Sequence, residues 1–230
     1  MDTPENQLIA RLPSQSKQSL MKLCEPVGLT MSQVLSDGAK SIQHVYFPVE
    51  AFISLITTLD GEPVLEVGMV GREGMVGAQM VLGVSSEPLY VLVQGSGSAW
   101  RIGRLAFERE LARNPALRRN LGHYLHITMT QLARSAACLR FHQIGPRLAR
   151  WLLMTQDRAH SSHFRVTQQF LALMLGVRRV GITTAAAALQ RQGLVEYHRG
   201  DFTILDRRGL EKAACGCYSN DCKAYAELRH

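Results

Sequence analysis

The stretch that decides the reading of this chain is Thr167-Gln168-Gln169-Phe170-Leu171-Ala172-Leu173-Met174-Leu175-Gly176-Val177-Arg178-Arg179-Val180-Gly181-Ile182-Thr183-Thr184, continuing to Gln192-Gly193. Thr167 is an N-cap residue, and the apolar residues after it predict a helix of about two turns. Gly176 ends that helix with the left-handed backbone that a tight helix-helix turn requires. A second helix is predicted from Arg178 to Gln192, stopped by Gly193. Ala172, four residues before the turn glycine, lets the two helices approach, and Ile182, six residues after it, plugs their shared core. This is the register of DNA-reading helix-turn-helix units. Arg178, Arg179, Thr183 and Thr184 face outward near the start of the second helix, where bases are read, and arginine can engage guanine O6 and N7 together. Thr167 and Gln168 complete the expected contact set.

Reading downstream, Leu194–His198 and Phe202–Leu205 alternate around Arg199-Gly200-Asp201, which predicts a β-hairpin and so a wing, with Arg199 at its tip against a phosphate. The charge agrees: between Arg140 and Gly200 stand nine arginines and no lysine against Asp157 and Glu196, so this segment carries the whole formal surplus of +7. A phosphate-binding surface needs such a concentration, because each neutralised phosphate releases condensed counterions. A solvated basic face without a partner is the plainer alternative.

Upstream, Ile144-Gly145-Pro146 predicts a helix boundary just before Arg147, with a helix from Arg147 to Gln156. From Leu105 to Leu139, the residues Leu121, Leu125, Thr128, Leu132, Ser135 and Leu139 follow coiled-coil spacing and predict a dimerisation seam, although Thr128 and Ser135 are polar there and the helix could instead pack on its own domain. Asn114-Pro115 marks a break or a fresh helix start. Between Ser41 and Ile102, short apolar runs (44–47, 51–56, 64–70, 89–93, 98–102) alternate with turn residues such as Asp60-Gly61, as in a small β-barrel or jelly roll. Asn6 to Cys24 reads as a short helical cap. The predicted class is therefore α+β: an N-terminal jelly-roll β-barrel over 1–104, a dimerisation helix over 105–140, and a winged helix-turn-helix over 141–230.

With 46% hydrophobic and 20% charged residues, composition excludes wholesale disorder. No apolar run approaches about 18 residues, and Met1-Asp2-Thr3-Pro4-Glu5 lacks the basic and apolar regions of a secretion signal, so no membrane association and a cytoplasmic location are expected. Five cysteines, an odd number without an even framework, suit a reducing compartment.

With a barrel, a long helix and a winged reader in that order, the chain resembles the Crp/Fnr superfamily, the cyclic-AMP receptor and anaerobic regulator group, over nearly its whole length. The resemblance rests on Gly71-Arg72-Glu73-Gly74-Met75-Val76-Gly77, which looks like the family's barrel turn, on Leu175-Gly176-Val177-Arg178-Arg179, and on Leu189-Gln190-Arg191-Gln192-Gly193-Leu194-Val195. It implies a homodimer on an inverted-repeat operator in double-stranded DNA, with RNA polymerase as a partner if the protein activates, and an effector pocket near Gly71, Glu73, Gly77, Ala78 and Leu89. Nucleotide-responsive members carry a glutamate after the turn and an arginine for the cyclic phosphate; here Ala78 follows Gly77, and Glu87-Pro88-Leu89-Tyr90 lies where the arginine belongs. A cyclic nucleotide is disfavoured as effector, because its phosphate would find no counter-charge. Val180 replaces the glutamate common in the reading helix, so the family's cytosine contact is lost.

No cofactor is expected. Cys24 alone cannot supply an iron-sulfur site in the barrel. Cys215, Cys217 and Cys222, with His230 as a conceivable fourth ligand, form a closer grouping but lack CxxC spacing, and metal or redox sensing competes there with an inert tail. His44, alone in the barrel, could ligate haem, but a satisfied surface residue is the simpler reading. A jelly-roll enzyme would need paired histidines and a carboxylate on one metal, which one barrel histidine cannot supply. No nucleophile-base pair or Walker loop points to an enzyme either. An architectural, nonspecific nucleic-acid binder needs only the basic patch and remains the nearer rival.

Overall fold

A computed structural model describes residues 5–38 and 41–227, with only the backbone of Pro63. The chain forms two compact units. One comprises the chain up to Leu55, residues 68–130 and the end from Tyr225; the other comprises Ile56–Val67 and Gln131–Ala224.

The first unit opens with two short helices, α1 (Gln7–Ala10) and α2 (Ser14–Met21). Asn6 caps α1 by accepting from the Leu8 and Ile9 amides, and its own amide donates to Pro48 O and Gly74 O at 2.9 and 2.8 Å. Seven strands follow: β1 (Glu25–Leu29), β2 (Val34–Asp37), β3 (His44–Pro48), β4 (Phe52–Leu59), β5 (Glu62–Val70), β6 (Tyr90–Gly95) and β7 (Gly97–Gly103). They form a jelly-roll arrangement of two sheets, ordered β1-β7-β3 and β2-β6-β4-β5, rather than one closed barrel. Alternating residues such as Ile53, Val70, Val91, Val93 and Ala99 bury one face of each sheet in a common core.

The expected long helix is two: α3 (Arg104–Arg113) and α4 (Pro115–Phe141). Pro115 lacks an amide and so begins a helix, while Asn114 accepts from the Leu117 amide at 3.1 Å as a cap. The first half of α4 turns Leu117, Leu121 and Tyr124 into a core with Leu8, Phe47 and Phe107. Gly74 of the barrel turn lies directly beneath Tyr124: a Cβ there would sit 2.4 Å from the tyrosine oxygen, so only glycine permits the approach.

In the second unit, α5 (Ile144–Ala159) precedes β8 (His163–Arg165), α6 (Gln168–Leu175), α7 (Arg179–Arg191), β9 (Val195–His198), β10 (Asp201–Ile204), α8 (Arg207–Ala213) and α9 (Cys217–Glu227). The boundary expected just before Arg147 is displaced: α5 starts at Ile144, because Pro146 falls within its first turn, where a missing amide costs nothing. The three short strands form an antiparallel sheet ordered β8-β10-β9. Among the described residues, no single helix is long and apolar enough to cross a membrane.

Candidate nucleic-acid interface

Thr167 accepts from the Phe170 amide at 3.1 Å and starts α6; Gly176, at φ +59°, ends it in the left-handed conformation. The chain then turns so that α6 and α7 are bent 107° from one another, within the range of DNA-reading helix pairs. Ala172 and Ile182 are buried where the two helices meet, at the spacing that predicts the motif.

Arg178 is not the first helical residue, as expected, but the residue before α7, with extended backbone at φ −70° and ψ 145° and no side-chain cap. An arginine has no acceptor to offer the helix, so its guanidinium is left to solvent. Arg178, Arg179, Val180, Thr183 and Thr184 are all exposed along the first turns of α7. The Thr183 hydroxyl lies 2.7 Å from Gln168 Oε1 and also reaches Arg179 O at 3.2 Å, while Thr184 bonds back to Val180 O. Gln168 therefore positions Thr183, and Thr167 is occupied with capping. Arg199 and Gly200 both have positive φ, +49° and +97°, between the paired residues His198 and Asp201; this two-residue turn puts Arg199 at the tip of the wing, exposed.

The basic segment divides by location. Arg140, Arg165, Arg178, Arg179, Arg191 and Arg199 are exposed. Arg147 and Arg158 are buried, donating to Leu175 O and Met154 O, and Arg150 pairs with Asp221 at 2.7 Å. Three of the nine arginines thus serve the interior, and the exposed basic surplus is smaller than linear charge suggests. Another feature not foreseen is the tip of the β4–β5 hairpin, which belongs to this unit: Trp151 donates to Glu66 at 3.0 Å, and Leu65 lies against Gly176.

On α4, the expected seam is only partly open. Leu121 is fully buried in its own unit, Thr128 bonds to Tyr124 O at 3.0 Å, and Ser135 faces Arg150 at 3.4 Å. The exposed apolar line runs through Met129 (60% exposed), Leu132, Ala136 and Leu139, continuing from half-buried Leu125; it keeps the expected Leu125, Leu132 and Leu139, with Met129 and Ala136 where Thr128 and Ser135 were expected.

In the first unit, a cavity of about 250 Å³ is lined by residues including Asp37, Ile42, His44, Tyr46 and Glu87. The expected pocket residues Gly71, Glu73, Gly77, Ala78 and Leu89 do not line it. Glu73 accepts from the Gly71 amide at 3.1 Å, Gly77 makes a left-handed turn before a short 3-10 helix at Ala78–Leu82, and Leu89 donates its amide to Glu87. The barrel-turn motif is backbone architecture here. Burial pushes the Glu87 pKa up against the lowering effect of its bonds from Gln79 and Leu89. His44 stands beside Tyr46, with ring centroids 6.3 Å apart.

The cysteines are redistributed. Cys215 and Cys217 meet Cys138 and His142, at the end of α4, so that one ligand atom from each lies within 4.8 Å of all the others. Cys222 is exposed outside the group, and His230 lies outside the described residues. Bonding from Cys215, aided by His142 and Arg150 against the effect of burial, lowers the Cys138 thiol pKa. The same contact and burial raise that of Cys215, and burial with the Cys138 charge raises that of Cys217. A Cys-x3-His pair at a helix end was the legible hint to this grouping.

Residues 146–213 match the Crp-like helix-turn-helix domain family. No curated protein matches the chain significantly. Among solved structures, it is similar to a putative Crp/Fnr-family regulator of Eubacterium rectale (16% identity, 90% of this chain and 97% of that one, TM-score 0.70). It is also similar to FixK2 of Bradyrhizobium japonicum (14%, 84% and 98%, 0.68) and to the c-di-GMP-responsive regulator CLP of Xanthomonas campestris (16%, 84% and 99%, 0.67). At these identities the likeness is one of fold. The chain thus carries a Crp-like helix-turn-helix domain and has the fold of the Crp/Fnr transcription regulators.

Proposed function

We propose that this protein is a sequence-specific transcription regulator that binds an inverted-repeat operator as a homodimer. The observation that carries the proposal is the exposed row Arg178, Arg179, Val180, Thr183 and Thr184 at the leading end of α7, on a helix pair bent by 107° and followed by a wing with Arg199 at its tip. Arg179 offers a bidentate contact to guanine, Val180 an apolar contact to a thymine methyl, and Arg178 and Arg199 phosphate contacts. Positions Met129, Leu132, Ala136 and Leu139 of α4 are the dimer seam in this reading, and the two readers address half-sites about one helical turn apart. RNA polymerase is the further partner if the protein activates.

The effector is not a cyclic nucleotide in this reading. The cavity of the first unit is lined by two carboxylates, Asp37 and Glu87, whose charge disfavours a phosphate and supports this reading. Selecting bound sequences from a random duplex pool at near-physiological salt tests the proposal. Enrichment of one inverted repeat is expected. Uniform binding with a steep salt dependence and no repeat would assign the protein to nonspecific binding instead.

A further inference from the structure

We propose that Cys138, His142, Cys215 and Cys217 form a binding site for one tetrahedral zinc ion. Cys138 and His142 stand one helical turn apart at the end of α4, and the Cys215-Gly216-Cys217 step joins α8 to α9. The four ligand atoms come from positions up to 79 residues apart, yet all lie within 4.8 Å of one another.

The separations support an ion rather than simple packing. Zinc bonds of about 2.3 Å to sulfur and 2.0–2.1 Å to nitrogen, at tetrahedral angles, place two sulfurs about 3.8 Å apart and a sulfur and nitrogen about 3.6 Å apart. Cys138 Sγ lies 3.6 Å from Cys215 Sγ, and His142 Nδ1 lies 3.5 Å from Cys138 Sγ and 3.6 Å from Cys217 Sγ. A cluster of cysteines packed as small apolar residues has no need of an imidazole nitrogen aimed at two sulfurs. Several irons and sulfides would not fit between atoms this close, so the space suits a single ion.

The surroundings fit the charge and the access that zinc requires. Three thiolates, a neutral imidazole and Zn²⁺ carry one net negative charge, and the guanidinium of Arg150 acts electrostatically on Cys138, Cys215 and Cys217. The three sulfurs are buried while His142 is exposed, which gives the ion a way in. With four protein ligands the site is closed, as in structural zinc sites, and it would fasten the end of α4 to the α8–α9 junction.

The full-length chain, purified under reducing conditions without chelator, tests this by metal analysis and by titration with Zn²⁺ and Co²⁺. The expected result is about one zinc per chain, a Co²⁺ form with thiolate-to-metal charge-transfer bands, and a melting temperature about 5–10 °C higher at free zinc 100-fold above Kd. Exposed His142→Gln should fold and lose more affinity than the roughly 10–100-fold that follows loss of an outer partner, whereas Cys222→Ser should keep full occupancy. A reduced wild-type chain that binds neither Zn²⁺ nor Co²⁺ overturns the proposal. So does H142Q with wild-type affinity. A metal-free chain lighter by two hydrogens, with Cys138 and Cys215 joined, would assign the pair to a disulfide instead.

Discussion

Replacing Asp221 should destabilise the second unit far more than removal of an ordinary surface charge. Asp221 is 5% exposed on α9; one carboxylate oxygen accepts from Arg134 of α4 and the other from Arg150 of α5 at 2.7 Å. One side chain thus ties three helices. Burial works against the Arg150 charge, and Asp221 more than offsets it, holding the guanidinium above its ordinary pKa. Asp221→Ala leaves Arg150, whose side chain is 11% exposed, without the carboxylate that accepts its hydrogen bond. Breaking such a pair costs about 3–5 kcal/mol. Because Arg134 is a quarter exposed and water can partly solvate it, the lower end applies: about 3 kcal/mol, or roughly 6–12 °C in melting temperature for a chain of this size. Thermal melts followed by circular dichroism, with urea unfolding as a second measure, read the effect. The double variant Arg150→Met with Asp221→Leu removes both charges and should recover most of the loss, since the penalty comes from the orphaned ion. A loss under about 1 kcal/mol for D221A, or a double variant no better than D221A, would refute the reasoning.

Three further outcomes are expected. Val180, 69% exposed, should favour thymine in the selected operator; replacing that thymine by uracil removes one methyl, about 0.8 kcal/mol or roughly fourfold per half-site, and Val180→Ala should abolish the difference in a gel-shift titration. Arg179→Ala should relax base preference at one position per half-site by about 1–3 kcal/mol, whereas Arg199→Ala should weaken all sequences alike and flatten the salt slope; equal effects from both would mean Arg179 does not read bases. The Glu87 pKa is raised above 4.5 by burial, so the folded state holds this proton more tightly than the unfolded chain does. That contribution is complete below the unfolded value and is lost as pH rises through the folded one, so Glu87→Gln should unfold with a flatter stability profile above pH 4.5.

The parts of this fold governed by short-range chemistry were legible in the sequence. The helix pair follows from Ala172, Gly176 and Ile182, and the wing from Arg199-Gly200 between alternating residues, because the turn and its packing partners are neighbours in the chain. Strands β1 and β2 were not foreseen. Glu25-Pro26-Val27-Gly28-Leu29 carries proline and glycine, which read as turn residues, but β1 is an edge strand, where a missing amide is tolerated. Linear charge could not separate Arg147, Arg150 and Arg158 from the arginines that face water, because their partners at Leu175, Asp221 and Met154 are set by tertiary packing. The exposed apolar line on α4 departs in part from the expected seam for a related reason: periodicity marks apolar residues without saying which core takes them, and the first unit takes Leu121. Local spacing marks Cys138 with His142 and Cys215 with Cys217 as pairs, but tertiary packing alone brings the two pairs together.

Arg199 occupies backbone space that favours glycine or asparagine, at φ +49° in the turn of the wing. A long cationic side chain there costs the fold on the order of 1 kcal/mol, a sum that Asn or Gly at the same place would return. More stable versions of this wing are therefore a single substitution away, and each would lack the charge at its tip. Consensus or stability-guided redesign of the domain would be drawn toward that substitution, and the resulting protein would melt higher while lacking the phosphate contact proposed for Arg199.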